Sequence, residues 1–595
     1  MVSTITELSC NIFTGIKTSD ASFSSEVISC SDCQNIELYD TNQNQGTGIR
    51  VSKGNKPLIT ELKFSDDDNN ISNREIISMF SCQLGGLPYL FLYIEDDIIN
   101  RGYIATYDDI TKTLTKICEL SKATGKCSFT FFEQGYLEFV VVSNNDEMKY
   151  LFVDTEKDKT TIHVLNVENV DTTQPTYDTY SIVDEDGNTI YIPFADKTFK
   201  DELGREVCGL GLVNFDSRLW VYNRNVLWYS AQAECRRFDF NDTSYVTSAG
   251  YIEFGKEITA IHVYNGQLAV FFNDGYKLVT TDTTTGFGVG TENFGGCSGY
   301  NSLVFHGTDL YVYDNNKKGI YSLAQTATGD TAITTNLASD VINELNKISS
   351  TDVIKGRLRT QSVVTNDRNE IWFLINSDDT YSEIIIFDYV RQAWVKRKSN
   401  RINCMCVHNN VLYSACKGLY VEYTSELFGD NRKFIPAYYI CSTFNMGSDN
   451  TLKITKFPPR LTVEASSSCN FNVQYIKNYN KALPTKDKYI KAKTLGNTAY
   501  YLEEVEDEFG DTKYFDVNSG KTYSLEDCPY RYYDENDDID TLDYEIFSYA
   551  FNANSIVKLP SITFKALEMK FYTKEKGENF DFKSLEITKI KVKQV

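Results

Sequence analysis

Hydrophobic positions in the middle of this chain come in short runs separated by polar turns, and the same unit recurs. An apolar strand is followed by a polar turn, a second apolar strand, another turn and a third strand rich in Tyr and Leu. The second strands begin at Leu219-Trp220-Val221-Tyr222, Leu268-Ala269-Val270-Phe271-Phe272, Leu310-Tyr311-Val312-Tyr313, Ile371-Trp372-Phe373-Leu374 and Leu412-Tyr413-Ser414. Polar turns precede each of them, such as Asp216-Ser217-Arg218, Asn265-Gly266-Gln267 and Asn409-Asn410. The third strands are Val226–Tyr229, Tyr276–Val279, Gly319–Ser322, Ile384–Phe387 and Leu419–Val421. Successive anchors lie 49, 42, 61 and 41 residues apart, and a period of about 40 to 50 residues with three or four short strands is the signature of propeller blades.

Two weaker units precede these, at Tyr89–Ile94 with Tyr103–Tyr107 and at Tyr136–Val142 with Tyr150–Val153. The pattern therefore predicts an all-β chain built on a β-propeller of six or seven blades. The longest interval holds the one persuasive helical stretch, Leu337–Leu345, read as a short helix inserted between blades. A hairpin is expected where Tyr180–Val183 and Thr189–Ile192 flank Asp184-Glu185-Asp186-Gly187-Asn188. Beyond about residue 433 the repeat stops, and cleanly alternating strands such as Arg460–Val463, Phe471–Tyr475 and Leu585–Val592 predict a C-terminal β-sandwich-like domain. The expected division is 1–55 as an N-terminal arm and closing strand, 56–432 as the propeller, and 433–595 as the C-terminal domain. An acidic insertion at about 500–547, read as a surface loop or hairpin, interrupts that last domain.

Composition narrows the function. Of the 595 residues 13% are aromatic, which suits pleated, half-buried surfaces. A net charge of −23 argues against a surface that grips nucleic acid through Lys and Arg, because phosphate binding needs cations to displace counterions. It is compatible with a surface past which DNA slides. The amino terminus lacks a charged n-region and an apolar h-region, and no stretch approaches the roughly 18 apolar residues of a membrane span. Fifteen scattered Cys fit reduced thiols and folding in a cytoplasm, with no obligatory disulfide.

Candidate chemistry is sparse. Asp534, Asn536, Asp538, Asp540 and Glu545 have the spacing of an EF-hand calcium loop, but Ile539 replaces the sharp-turn glycine and no flanking helices are evident, so the segment reads as a solvated acidic loop. Cys30-Ser31-Asp32-Cys33 has only Cys10 near it, too few ligands for zinc, and lacks a thioredoxin-like context. The four histidines, His163, His262, His306 and His408, follow predicted strands, three of them in the first strand of a blade, and read as structural. Gly286-Phe287-Gly288-Val289-Gly290 lacks the Lys-Ser/Thr of a phosphate loop and reads as an inter-blade loop. No G-x-S-x-G elbow and no recurring Asp-box appears. No catalytic, cofactor or metal residue is assigned, and the chain is read as no enzyme.

One blade carries a resemblance. Asn369–Leu374, followed by Ile384-Ile385-Ile386-Phe387-Asp388-Tyr389 and Gln392-Ala393-Trp394, resembles the blade of the tail hub and tail nozzle propellers of short-tailed bacteriophages, a strand ending in a Tyr-Asp-Tyr-like corner and then Trp. The opening Ser31–Tyr39, Gly48-Ile49-Arg50 and Gly54-Asn55, and the closing Phe580–Ile587, are similar to the two ends of the same group. The resemblance spans most of residues 30–595, and the insertion at 500–547 departs from it.

The resemblance implies a virion tail protein, folded and assembled in the host cytoplasm. Its copies would form a ring, commonly a homohexamer, attached below the portal and adaptor or other tail proteins. The lumen would continue the DNA-ejection channel, with viral DNA passing without specific binding and no membrane insertion. No catalytic residue carries over. The alternatives are a receptor- or glycan-binding propeller whose aromatics stack on sugars and, after it, a glycan-degrading enzyme with paired carboxylates.

Overall fold

A computed structural model of the chain describes residues 5–10, 12–16, 27–41, 46–64, 73–165, 179–183, 189–193, 200–238, 248–282, 286–314, 317–325, 331–333, 337–341, 345, 360–377, 380–423, 434, 436–442, 453–454, 460–464, 469–477, 488–492, 502–506, 512–516, 521–523, 554–558, 563–564, 567–574, 578–582 and 585–591. It forms two compact units, Gly54–Ser425 and Met1–Lys53 with Glu426–Val595.

The first unit is a seven-bladed β-propeller, each blade built on four antiparallel strands that follow chain order in all but the last; in blade 4 a short fifth strand, Asn293–Phe294, also pairs with the third. Blade 1 runs Arg74–Leu84, Leu87–Asp96, Arg101–Asp108 and Thr113–Leu120. Blade 2 runs Ser128–Gln134, Leu137–Ser143, Met148–Asp154 and Asp158–Leu165; blade 3 runs Leu210–Phe215, Arg218–Asn223, Val226–Tyr229 and Gly250–Glu253. Blade 4 runs Ala260–Tyr264, Gln267–Phe271, Gly275–Asp282 and Gly286–Val289; blade 5 runs Leu303–His306, Asp309–Asp314, Gly319–Gln325 and Thr331–Ile333. Blade 6 runs Gln361–Thr365, Glu370–Ser377, Tyr381–Asp388 and Ala393–Asn400. Blade 7 takes Cys404–His408, Val411–Ala415 and Leu419–Val421 from the end of the unit and its fourth strand, Lys56–Ile59, from the beginning. The closing strand thus falls just past the 1–55 segment expected to supply it. It pairs antiparallel with Leu419–Val421 and seals the ring, so that no blade is left with an open partner edge there.

The sequence pattern of the second strands follows from their position. A strand inside a blade has a neighbouring blade on both faces, so it is apolar throughout instead of alternating with polar residues. In blade 1, Leu90, Leu92 and Ile94 pack with Cys404, Tyr413 and Leu419 of blade 7. The intervening Phe91 and Tyr93 pack with Val140, Val142 and Leu151 of blade 2. The same division repeats, Phe139 and Val141 meeting Leu219 and Val221, Trp220 and Tyr222 meeting Leu268 and Val270, and Ala269 and Phe271 meeting Leu310 and Val312. Each such Leu, Val or Phe contributes about 1.5–3 kcal/mol by leaving water.

The turns obey their residues. Between the first two strands of blades 3, 4 and 7, the pairs Asp216-Ser217, Asn265-Gly266 and Asn409-Asn410 all have φ between 49° and 71°, the type I′ geometry that matches strand twist. At the end of the third strand an aspartate caps the next turn. Asp388 Oδ1 accepts the N–H groups of Val390 (3.1 Å) and Arg391 (2.8 Å), and Asp108 and Asp154 do the same in blades 1 and 2. Trp394 then stacks on Phe387 with ring centroids 4.5 Å apart.

Three sequence expectations are modified. The glycine-rich Gly286–Val289 is the fourth strand of blade 4, held by backbone pairing to Val279–Asp282, and Phe287 meets the rings of Trp220 (4.8 Å) and Tyr229 (4.9 Å). An edge strand needs only its backbone, so glycines there do not prevent pairing. The expected helix is, within the described residues, a 3-10 turn at Ser339–Val341 between blades 5 and 6, and its apolar spacing does bury Ala338, Val341 and Leu345. The acidic insertion holds a three-stranded meander, Leu502–Glu506, Thr512–Asp516 and Lys521–Tyr523. The expected hairpin forms between blades 2 and 3 as Thr179–Val183 paired with Thr189–Pro193.

In the second unit the amino-terminal segment is part of the sheets. A nine-stranded sheet joins Ile36–Asp40, Thr47–Val51, Ile12–Ile16 and Val27–Gln34 to Tyr438–Cys441, Leu567–Tyr572, Cys469–Lys477 and Lys488–Ala492, with Asp581–Phe582 on Thr47–Val51. A four-stranded sheet runs Ile5–Cys10, Leu585–Lys591, Arg460–Glu464, Asn554–Lys558. Phe471 meets Phe571, Phe580 and Phe582 edge to face in its core. Among the described residues no helix is long and apolar enough to cross a membrane.

Candidate functional site: the axial cavity

The first strands of the blades surround the propeller axis, and six of the seven line a cavity of about 470 Å³ there. Phe80, Phe129 and Phe131 come from blades 1 and 2, Val213 and Asn214 from blade 3, His262 from blade 4, Leu303 and the preceding Asn301 from blade 5, and Gln361 from blade 6. Its described lining contains no Asp, Glu, Lys or Arg. Phe80 and Phe129 stack nearly parallel, 5.7 Å between centroids. Gly211 has φ +63°, and a Cβ there would stand 2.4 Å from the Tyr222 ring, so only glycine fits this wall.

Tyr300 lies at one end of the cavity. Tyr300, in the segment before blade 5, accepts the backbone N–H of Cys127, just before blade 2, at 3.2 Å. It reaches across the ring to do so, and burial holds its hydroxyl well above its ordinary pKa. Cys127 has no exposed surface. Asn214, farther along the lining, is exposed to solvent.

The polar groups differ in how they are committed. Gln361 spans to blade 7, where its Nε2 donates to Met405 O and its Oε1 accepts Met405 N–H, both at 2.6 Å. His262 Nδ1 lies 2.7 Å from Val263 O, so it carries the proton and leaves Nε2 as an acceptor; burial lowers its pKa, keeping it neutral. The Ser128 hydroxyl is buried and has no hydrogen-bond partner in the structure.

On the far side of Tyr300 lies a second cavity of about 350 Å³, lined by Lys126, Asp146, Arg224 and Glu257 beside Tyr222 and Tyr300. Tyr300 borders both and separates them. Tyr222 is held there by donating to Thr259 O at 2.6 Å.

The residues singled out in the sequence are dispersed. His262, His306 and His408 sit in first strands of blades 4, 5 and 7, and His163 in the fourth strand of blade 2. His408 contacts Ser81 Oγ at 2.9 Å and Asn409, His163 lies 3.5 Å from Asp158, and His306 packs at a tilt against Tyr389 with ring centroids 4.0 Å apart. Cys30 and Cys33 are buried in the second unit, where Cys30 pairs in register with Cys441. Burial first, and then Cys33, pushes the Cys30 thiol well above its ordinary pKa. Among the described residues no group of three or more His, Cys, Asp and Glu is placed to hold a metal. Asp534, Asn536, Asp538, Asp540 and Glu545 lie outside the described residues. Sequence reading missed Tyr300, Ser128, Asn214 and Asn301; the available signal was their place in or just before first strands.

No family model matches the chain, and no curated protein matches it. Solved structures show only remote likenesses to it. A streptogramin B lyase is 9% identical with a TM-score of 0.32, covering 65% of this chain and 96% of that one. The virginiamycin B lyase from Staphylococcus aureus is 9% identical with a TM-score of 0.29, covering 58% and 98%. A protein from Lactobacillus plantarum is 12% identical with a TM-score of 0.31, covering 62% and 96%. Likenesses this remote carry nothing about activity.

Proposed function

We propose that this chain is a structural component of a phage tail, forming an oligomeric ring or nozzle that continues the DNA-ejection channel. The observation that carries the reading is the narrow propeller axis. Tyr300 reaches across it to the Cys127 N–H, and the cavities it borders hold only about 350 and 470 Å³, too little for a duplex, so a duct for DNA would lie between copies of the chain. The resemblance carried by one blade, Asn369–Trp394, supports the setting. The net charge of −23 suits a lumen that repels phosphate so that the duplex does not adhere.

The topology favours a mechanical part. Both ends of the propeller segment continue into one unit, where residues 1–53 are hydrogen-bonded into sheets with residues 426–595. Pulling on the propeller therefore loads paired strands rather than a single linker. The partners in this reading are other copies in a ring of six, the portal and adaptor or neighbouring tail proteins, and DNA in transit.

Electron microscopy of the purified full chain, with antibody labelling of virions, tests it. Rings with a central lumen and label at the tail are expected. Monomers under every condition, with no label on virions, would overturn the reading.

A further inference from the structure

We propose that Cys30 and Cys441 are the site of a cross-strand disulfide, which forms in oxidising surroundings and joins the two ends of the chain covalently. The inference stands independently of the tail reading. Strand Val27–Gln34 pairs antiparallel with Tyr438–Cys441, and Cys30 stands directly opposite Cys441. The neighbouring rung carries the backbone hydrogen bond, Ser442 N–H donating to Ser29 O at 2.7 Å, so Cys30 and Cys441 form a rung without one. The Cα atoms of such a rung lie about 4.5 Å apart with the side chains close together, inside the roughly 4.4–6.8 Å that a disulfide spans.

A third thiol lies nearby. Ser31 is an extra residue on its strand, since Cys30 faces Cys441 and Asp32 faces the next residue, Ile440. This bulge turns Cys33 to the same face as Cys30, and both are buried there. Cys33 stands opposite Tyr439, two residues along the partner strand from Cys441, which sets it roughly 7 Å from Cys30 along the sheet, at the far limit for a bridge. Tyr439 fills that rung, its hydroxyl donating to Thr14 O at 3.0 Å and its ring meeting Phe13 edge to face. The C-x-x-C spacing therefore supplies a cross-strand thiol partner for its first cysteine only.

The reaction is thiol–disulfide exchange with a small-molecule disulfide such as oxidised glutathione. One protein thiolate attacks it and expels a glutathione thiolate, and the second protein thiolate attacks the mixed disulfide and expels the other. Two protein thiols are oxidised, the S–S bond of glutathione is reduced, and the two thiol protons end on two glutathione molecules. Both cysteines are buried once the sheet is formed, so exchange takes place while strand Val27–Gln34 is off its partner, and docking shields the product from reductant. The bond closes a loop that contains the whole propeller unit, Gly54–Ser425, and makes the seam between the two terminal segments covalent.

The test holds the full chain with oxidised glutathione in urea just below its unfolding midpoint, returns it to buffer, alkylates it and digests it without reductant for mass spectrometry. A peptide joining Cys30 to Cys441 is expected as the dominant disulfide, with faster migration of the denatured chain on a non-reducing gel and a higher urea midpoint than the reduced chain. Cys33→Ala should keep the bond, and Cys441→Ala should lose it together with the gain in midpoint; the peptide map of the unaltered chain decides the matter even if a variant fails to fold. Recovery of Cys30 and Cys441 as alkylated thiols, a bond from Cys30 to Cys33 in place of the cross-strand one, or an oxidised chain no more stable than the reduced one would each overturn the inference.

Discussion

Arg397 and Glu422 form an ion pair of 2.7 Å with both side chains almost wholly buried, and it stands where the propeller ring closes. Arg397 comes from the last strand of blade 6, and Glu422 follows the third strand of blade 7. The other carboxylate oxygen of Glu422 accepts from Ser414 Oγ and, at 3.3 Å, from Asn55 Nδ2, one residue before the closing strand Lys56–Ile59. One carboxylate therefore holds two blades and the closing strand together. Arg397 also lies over the rings of Trp372 (5.4 Å) and Tyr423 (5.3 Å).

Removing one partner of a buried pair leaves the other charge stranded. Glu422→Gln should cost about 3–5 kcal/mol, whereas the double change Arg397→Met with Glu422→Leu, which fills the same space with apolar atoms, should cost less than Glu422→Gln alone. Urea denaturation of the three proteins decides this. A double variant less stable than the single would show that the ion pair is a net stabiliser here.

The blades were legible because each second strand is apolar on both faces, so Leu219, Leu268, Leu310 and Ile371, all fully buried, announce themselves without knowledge of their neighbours. Ring closure was legible only as a closing strand expected from the amino-terminal segment, placed within 1–55 and without a partner. Lys56-Pro57-Leu58-Ile59 is four residues long and pairs with Leu419–Val421, far along the chain, and nothing local assigns it a partner. The same holds for Cys30 beside Cys441. The axial cavity is harder still, because six blades each give it one strand, and Tyr300 reaches Cys127 across 173 residues of sequence.

Acid should weaken the fold through its histidines. His163, His262 and His408 are all held below the ordinary value of 6.5, chiefly by burial; Asp158 and Asp109 oppose this at His163 and His408, as does Val263 O at His262. Between the folded values and 6.5 the unfolded chain binds more protons than the folded one, so stability rises with pH there. Their contribution is complete above 6.5 and is lost as pH falls through the folded values. Urea midpoints measured from about pH 5 to pH 8 should climb, and the climb should shrink in a His163→Gln/His408→Gln variant. An unchanged slope in that variant would remove these two residues from the account.

The cysteines should be unreactive while the chain is folded. Twelve described cysteines are free thiols, and burial pushes Cys82, Cys118, Cys297 and Cys406 up to about 12 and Cys208 up to about 11. Since the thiolate is the nucleophile, a disulfide reagent should label these positions slowly in buffer and rapidly in denaturant, as read by mass spectrometry of peptides. Rapid labelling of Cys297 or Cys127 in the folded protein would mean that the blade interfaces open.

Tyr300 should matter more for the axis than for the blades. Tyr300→Phe keeps the ring but leaves the Cys127 N–H, buried beneath it, without its acceptor, at a cost of about 1–3 kcal/mol. Tyr300→Ala also removes the partition between the cavities of about 350 and 470 Å³, and large-to-small changes of this kind cost about 3–5 kcal/mol. Hydrogen exchange separates the two effects. The Cys127 amide should exchange faster in both variants, while the amides of Leu90–Ile94, in the blade 1 interior, should keep their protection in Tyr300→Phe. Protection of Cys127 unchanged in both would show that its N–H does not depend on Tyr300.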